Sequence, residues 1–142
     1  MAIASILKDK GGAIIAASPS QTVAEVVALL CAHRIGAVIV MEDGKVAGVL
    51  SERDVVRGLN EQGAAILQRT AREIMTTEVI TVAPSESVTA ALSRMTRRRI
   101  RHLPVLDGGE VRGVVSIGDL VKARIDEAVR EAESLKDYIT HA

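Results

Sequence analysis

The sequence has no tryptophan, no phenylalanine and one tyrosine in 142 residues. A chain this poor in rings lacks the side chains on which single-stranded nucleic acid stacks its bases. One cysteine, Cys31, cannot close an internal disulfide, which points to a reducing compartment. Long apolar runs are also missing. Stretches such as Val26–Ala32 fall far short of the roughly 20 residues a helix needs to cross a bilayer. Met1–Ala13 carries Lys and Asp where a signal peptide would have an apolar core, so the expected location is the cytoplasm. Nor is there an excess of either charge: 18 Lys and Arg face 18 Asp and Glu, so no global field attracts nucleic acid or an anionic membrane.

What is present is aliphatic. Twenty Ala, 18 Val, 13 Ile and 11 Leu exclude a disordered chain, which would be poor in such residues. The length suits one ordinary domain or two very small ones. Charge is uneven locally: Arg94–His102 holds five Arg and one His without an acid, and Asp126–Asp137 is acid-rich.

Shifting the sequence by 65 residues aligns Ile14–Leu59 with Val79–Arg124 without a gap, and 14 of the 46 positions are identical. The identities include Pro19/Pro84, Arg34/Arg99, Gly48/Gly113, Ser51/Ser116 and Asp54/Asp119. They fall where backbone geometry is demanding or polar chemistry is possible, so the chain contains an internal repeat.

Each copy reads as β-α-β-β-α. A short apolar strand, Ala13–Ala17 or Glu78–Val82, leads into a Pro-Ser turn. An amphipathic helix follows, with Val23, Val26, Val27 and Leu30 in one copy and Val88, Ala91, Leu92 and Met95 in the other, at offsets 0, 3, 4 and 7. Thr22 with Glu25 and Thr70 with Glu73 have the spacing of capping boxes. Two β-rich runs come next, Gly36–Met41 and Lys45–Leu50, or His102–Leu106 and Glu110–Val115, with Gly in the turn between them. Ala37–Met41 is apolar without alternation, as in a strand covered on both faces. A second helix starts near Ser51 or Ser116. The link Asn60–Met75 is polar and partly helical. A unit of about 46 residues buries too little surface to stand alone. The expectation is therefore an α+β fold of two modules, 1–72 and 73–142, packed with approximate two-fold symmetry. The last helix runs on, and Val121, Ile125, Ala128, Ala132, Leu135 and Ile139 form a heptad-like stripe. That stripe could dock on Ile3–Leu7 or on a second subunit.

Enzyme signatures are sparse. The sequence has no phosphate-binding Gly-rich loop and no metal-ligand spacing, since His33, His102 and His141 stand apart. Cys31 and His33, two apart on a helix, face different ways, so Cys31 reads as a small apolar helix residue. What recurs is Gly-Val-(Leu/Val)-Ser-x-x-Asp, at Gly48–Asp54 and Gly113–Asp119. Ser at the helix start with Asp three residues on is explained by capping alone. The same geometry also suits a ligand. Open N–H groups at a helix start attract phosphate, a carboxylate can accept both hydroxyls of a ribose, and Gly lets a ligand approach the backbone.

This pattern resembles a pair of CBS domains, the modules named for cystathionine β-synthase. The matching segments are Val79–Pro84, Arg99–Leu106 and Gly113–Val121, with Ile35–Val40 and Gly48–Val56 in the first copy; the resemblance spans roughly Ile3–Arg130 and looks like a stand-alone pair. It implies a non-catalytic regulator that binds an adenosyl ligand (AMP, ADP, ATP, NAD(H) or S-adenosylmethionine) in clefts between the modules, without a metal. Asp54 and Asp119 would hold the ribose, beside Ser51 and Ser116 and near Gly48 and Gly113. Ile14, Ile15, Ala16, Ile80, Thr81 and Val82 would border the adenine, and Ile35, Gly36, Ala37, Arg101, His102 and Leu103 would line the opposite side. Arg53, Arg99, Arg101 and His102 are the phosphate candidates. Arg53 is replaced by Gly118 in the second copy, so the two sites should differ. With no Trp or Phe and a single Tyr, adenine would lie between aliphatic walls of Ile14, Ile35, Ile80 and Leu103. The resemblance also implies a homodimer and an effector protein that reads the ligand state. Two other readings compete: a ligand-independent dimerisation adaptor built on the heptad stripe, and nucleic-acid binding through Arg94–Arg101, which the neutral net charge disfavours.

Overall fold

The computed structural model describes residues 1–11 and 14–141; the expected strand start at Ala13 lies outside them. Contacts divide the chain into two compact units. The first comprises Ala13–Ile80 with Gly108–Val111, and the second comprises Met1–Gly12, Thr81–Asp107 and Arg112–Ala142. The repeat divides the chain by sequence near residue 72, whereas contacts group the N-terminal segment with the second copy.

In the first unit, β1 (Ala16–Ala17) pairs in parallel with β2 (Ala37–Glu42), and β2 pairs antiparallel with β3 (Lys45–Ser51). Asp43 and Gly44 join β2 to β3 with φ of 53° and 75°, the two left-handed positions of a tight hairpin turn. Ala37, Val38, Ile39 and Val40 are all buried, as the unbroken apolar run requires. Helix α2 (Val23–His33) turns Val23, Val26 and Leu30 into a core with Val38, Val40, Leu50 and Val55. Thr22 caps it, accepting from the Glu25 N–H at 3.2 Å. The return arm of the expected box is absent: the Glu25 carboxylate instead accepts from the Thr22 hydroxyl and the Gln21 amide, each at 3.3 Å. Cys31 lies on α2 but is exposed, not packed as an apolar residue. Helix α3 (Glu52–Gln62) follows, then a 3₁₀ turn (Gly63–Gln68) and short α4 (Ala71–Ile74), where the Glu73 carboxylate accepts from the Thr70 N–H at 3.2 Å. The buried Ile66 of the 3₁₀ turn fills the space beside Gly58, where a Cβ would clash with it.

The second unit opens with α1 (Ile3–Lys10), whose Ile3 and Ile6 are buried. It continues with α5 (Val88–Arg98), β4 (His102–Asp107), β5 (Glu110–Ser116), whose first two residues are grouped with the first unit, and the 25-residue α6 (Ile117–His141). Ser87 caps α5 by accepting from the Ala90 N–H at 3.0 Å, and Val88, Ala91 and Met95 are buried as the stripe predicts. The strand expected over Glu78–Val82 shrinks to one parallel bridge, Val82 to Val105. Side chains claim the flanking backbone: Arg94 donates to the Thr81 carbonyl at 2.7 Å, and Glu86 accepts from the Ala83 N–H at 2.7 Å.

Helix α6 packs on α5 and α1. It does so around buried Leu120 and half-buried Ala123 and Glu127, the last paired with the Met1 ammonium at 4.0 Å. The heptad stripe is not what docks on α1: Val121, Ile125, Leu135 and Ile139 are 43%, 57%, 62% and 70% exposed.

Candidate functional site

Both copies end their hairpin in the same turn. At the junction of β3 and α3, the Ser51 N–H donates to Asp54 Oδ2 at 2.9 Å and the Asp54 N–H donates to Ser51 Oγ at 3.3 Å. At the junction of β5 and α6, the Ser116 N–H donates to Asp119 Oδ2 at 2.8 Å and the Asp119 N–H donates to Ser116 Oγ at 3.1 Å. Each is a reciprocal capping box, so the capping explanation holds at both. It also fixes each carboxylate in place before any ligand arrives.

The helix starts are less open than the sequence suggests. The Glu52 N–H donates to the Gly36 carbonyl at 2.9 Å, and the Ile117 N–H donates to the Arg101 carbonyl at 2.8 Å. Segments leaving α2 and α5 thus consume an N–H that would otherwise face an anion. They leave through matching caps: Arg34 and Arg99 are left-handed, at φ 52° and 54°, and the Ile35 and Ile100 N–H groups close back onto Leu30 and Met95, each at 3.1 Å.

Gly48 and Gly113 each answer a packing demand. A Cβ on Gly48 would sit 2.7 Å from Met75 Sδ and 2.8 Å from the Thr76 carbonyl. One on Gly113 would sit 2.9 Å from Leu7 Cδ2. Each glycine is covered by a segment of its own unit.

The outer partners of the two carboxylates differ. Asp54 is 8% exposed, the one buried charged side chain among the described residues. The Thr76 hydroxyl donates to its Oδ1 at 3.4 Å, and Arg57 stands 3.6 Å away one turn along α3. Asp119 is more open and carries a stronger partner. Lys10 Nζ donates to its Oδ2 at 2.8 Å and to the Val114 carbonyl at 3.0 Å. Burial works to raise the Asp119 pKa, but the Lys10 ammonium and the Ser116 N–H together hold it below the ordinary carboxylate value.

The remaining candidates divide by exposure. Ile14 is 40% exposed, and Ile15, Ile35, Gly36, Ile80 and Thr81 are half-buried, so they offer surface to a ligand. Ala16, Arg53, Arg99, Arg101 and Gly118 are exposed, and His102 is half-buried at the head of β4. Ala37, Val82 and Leu103 are core residues at 5%, 2% and 0% exposure, so their side chains wall nothing. Val82 has also spent its backbone, donating to the Pro104 carbonyl and accepting from the Leu106 N–H, both at 3.0 Å. Of the arginine run, Arg94 is committed to Glu86 at 2.5 Å, which raises its pKa and holds that of Glu86 down.

Sequence reasoning missed Lys10, Thr76 and Arg57. A signal existed for two of them. Extended backwards, the 65-residue shift places Lys10 opposite Met75 and Gly11 opposite Thr76. The residues just ahead of each copy are those that reach a carboxylate.

Among the described residues, no group of three His, Cys, Asp or Glu could hold a metal, and no helix is long and apolar enough to cross a membrane. The family model for the CBS domain matches residues 12–61 and again residues 71–126. A relative in Arabidopsis thaliana, the mitochondrial CBS domain-containing protein CBSX3, is 36% identical over 146 residues, covering 96% of this chain and 71% of the relative. The crystal structure of the CBS-domain protein ATU1752 from Agrobacterium tumefaciens superposes with a TM-score of 0.85 at 38% identity, over 87% of this chain and 99% of that one. The CBS pair of protein MJ0100 in complex with 5′-methylthioadenosine and S-adenosylmethionine gives 0.79 at 25% identity, over 89% and 98% of the two chains. Protein PAE2072 from Pyrobaculum aerophilum, complexed with AMP, gives 0.74 at 28% identity, over 84% and 89%.

Proposed function

The chain belongs to the CBS-domain family, and from that premise we propose that it is a regulatory sensor whose Asp54 and Asp119 each accept the ribose hydroxyls of an adenosyl ligand. The observation that carries this reading is the duplicated turn, in which a backbone N–H holds each carboxylate at 2.9 and 2.8 Å. An acceptor fixed in advance loses little freedom on binding, and an ionised acceptor makes the stronger hydrogen bond. Relatives that were solved with AMP, 5′-methylthioadenosine and S-adenosylmethionine support an adenosyl ligand. Adenine would rest on Ile14, Ile35 and Ile80, with Arg53, Arg99, Arg101 or His102 taking phosphate. The module carries no chemistry of its own; it passes a ligand-dependent change to an effector protein, in the cytoplasm. Such a change requires the ligand to bind one arrangement better than another.

Calorimetric titration of folded, nucleotide-free protein with AMP, ATP, NADH and S-adenosylmethionine tests this. Heat with at least one of them is the expected result; none with any would overturn the reading. With one Tyr and no Trp, the protein barely absorbs near 280 nm, so a co-purified nucleotide would dominate the spectrum near 260 nm.

The uncovered stripe on α6 favours a second property, self-association. Val121, Ile125, Leu135 and Ile139 would meet the same stripe of a second copy, giving a homodimer. Sedimentation should then show a dimer that Leu135→Asp with Ile139→Asp converts to monomer.

A further inference from the structure

Resting on the reading of Asp119 as a ribose acceptor, we propose that Lys10 makes the second site selective for adenosyl ligands that carry phosphate. The contact lies within one unit, between residues 109 apart in sequence. Lys10 ends α1, whose Ile3 and Ile6 are buried and whose Leu7 covers Gly113. Its backbone is thus anchored, while its side chain is 40% exposed and held at its ammonium by Asp119 and the Val114 carbonyl. A ribose that takes Asp119 competes with the Lys10 ammonium for Oδ2. A neutral ligand such as 5′-methylthioadenosine displaces that ion pair and offers nothing in exchange. A phosphate gives the displaced ammonium a new anion within reach of the same side chain.

The surroundings suit this exchange. A cavity of about 250 Å³ adjoins the pair, lined by Lys10, Lys122 and Arg130 together with Asp9, Asp119 and Asp126. Its side chains include three cations and three carboxylates. A ribose hydroxyl that donates to Asp119 leaves the carboxylate charged but takes the oxygen that Lys10 uses, so the ammonium is released toward another anion. The first site holds its cation more loosely: Asp54 meets a neutral hydroxyl at 3.4 Å and an exposed arginine at 3.6 Å, against 2.8 Å for Lys10 on Asp119. The position equivalent to Lys10 is Met75, which carries no charge. The two sites should therefore differ in their demand for phosphate.

The test silences the first site with Asp54→Asn, which keeps a capping oxygen, and titrates AMP and 5′-methylthioadenosine into the second. AMP should bind at least about ten-fold more tightly, a difference of about 1.4 kcal/mol. Lys10→Met should collapse the ratio to within about three-fold, and Lys10→Arg should preserve it. If Asp54→Asn does not fold, two-site titration of the otherwise native chain with Lys10→Met reads the same ratio. A ratio untouched by Lys10→Met, or equal tightening of both ligands, would overturn the proposal while leaving the sensor reading intact. Binding of no adenosyl ligand to the native chain would overturn both.

Discussion

Asp54 and Asp119 occupy the same capping box in the two units, yet one is buried against a threonine and the other is open against a lysine. The inner half of each site, serine and backbone, comes from the repeat itself. The outer half comes from the residues just ahead of a copy, Met75–Thr76 for Asp54 and Leu7–Lys10 for Asp119. Duplication kept what the helix needs for capping, while the uncopied partner differs. The difference teaches that identity at a motif does not make two sites equivalent. What surrounds the motif decides which ligand it takes.

The comparison breaks most sharply on removal of each carboxylate. Asp54→Ala and Asp119→Ala should each abolish one binding event in calorimetry, halving the stoichiometry of a ligand that fills both sites. Each should also cost about 1–2 kcal/mol of stability through the lost cap. Loss of the fold in both variants, with no selective loss of binding, would reduce the motif to capping.

The covers over the two glycines come next. At Gly48 one of the two close neighbours is the Thr76 carbonyl, which accepts from the Val49 N–H at 3.0 Å while the Thr76 N–H donates to the Val49 carbonyl at 2.9 Å. It cannot retreat, so Gly48→Ala should cost about 2 kcal/mol in urea denaturation. At Gly113 the neighbour is the end of a leucine side chain. Leu7→Ala removes that cover from half-buried surface and should cost about 1 kcal/mol, less than a fully buried leucine would. Equal effects would mean that the two covers are equally rigid.

How far this was legible in the sequence follows from the range of the interactions involved. The helical stripes, the hairpins and the two boxes rest on residues three to seven apart, and periodicity exposes them. The strand at Glu78–Val82 was misjudged because its backbone answers to Arg94, a residue the sequence marks only as one of a charged run. Lys10 is harder to see. Its partner lies 109 residues away, nothing within Ile3–Lys10 announces a site, and only the repeat extended backwards sets it opposite Met75. Leu103 and Val82 resembled ligand walls because the family pattern passes through them, but the core needs them more.

Acid should separate the units next. In the second, Asp119 and Glu86 titrate below their ordinary values of 3.8 and 4.5; burial opposes and Lys10 lowers the first, and Arg94 lowers the second. In the first, Glu73 titrates below 4.5, through Arg69 and Thr70. A depressed carboxylate contributes stability above its unfolded value and loses it as pH falls through the folded one. Stability should therefore decline below about pH 4.5, as Asp and Glu begin to protonate. With two such carboxylates against one, the second unit should show the larger change in its amide resonances as pH falls. Lys10→Met should move the loss to higher pH in the second unit alone. Simultaneous loss in both units would show that acid acts on the chain as one cooperative whole.

The smallest effect concerns Arg34 and Arg99, the matched left-handed caps. A side chain in that conformation costs about 1–2 kcal/mol that glycine avoids, offset in part by the greater freedom of glycine in the unfolded chain. Arg34→Gly should raise stability by about 0.5–1 kcal/mol, seen as a higher urea midpoint at unchanged slope. Arg99 is engaged in a further interaction, so Arg99→Gly should gain less. Its ligand response is the sharper measurement. If Arg99 takes phosphate, Arg99→Gly weakens AMP but spares 5′-methylthioadenosine, whereas Arg34→Gly leaves AMP at the second site unchanged. A gain in stability at both positions with no change in either ligand would leave the strain unexplained by binding, and the identity of the two arginines would then reflect the shared cap alone.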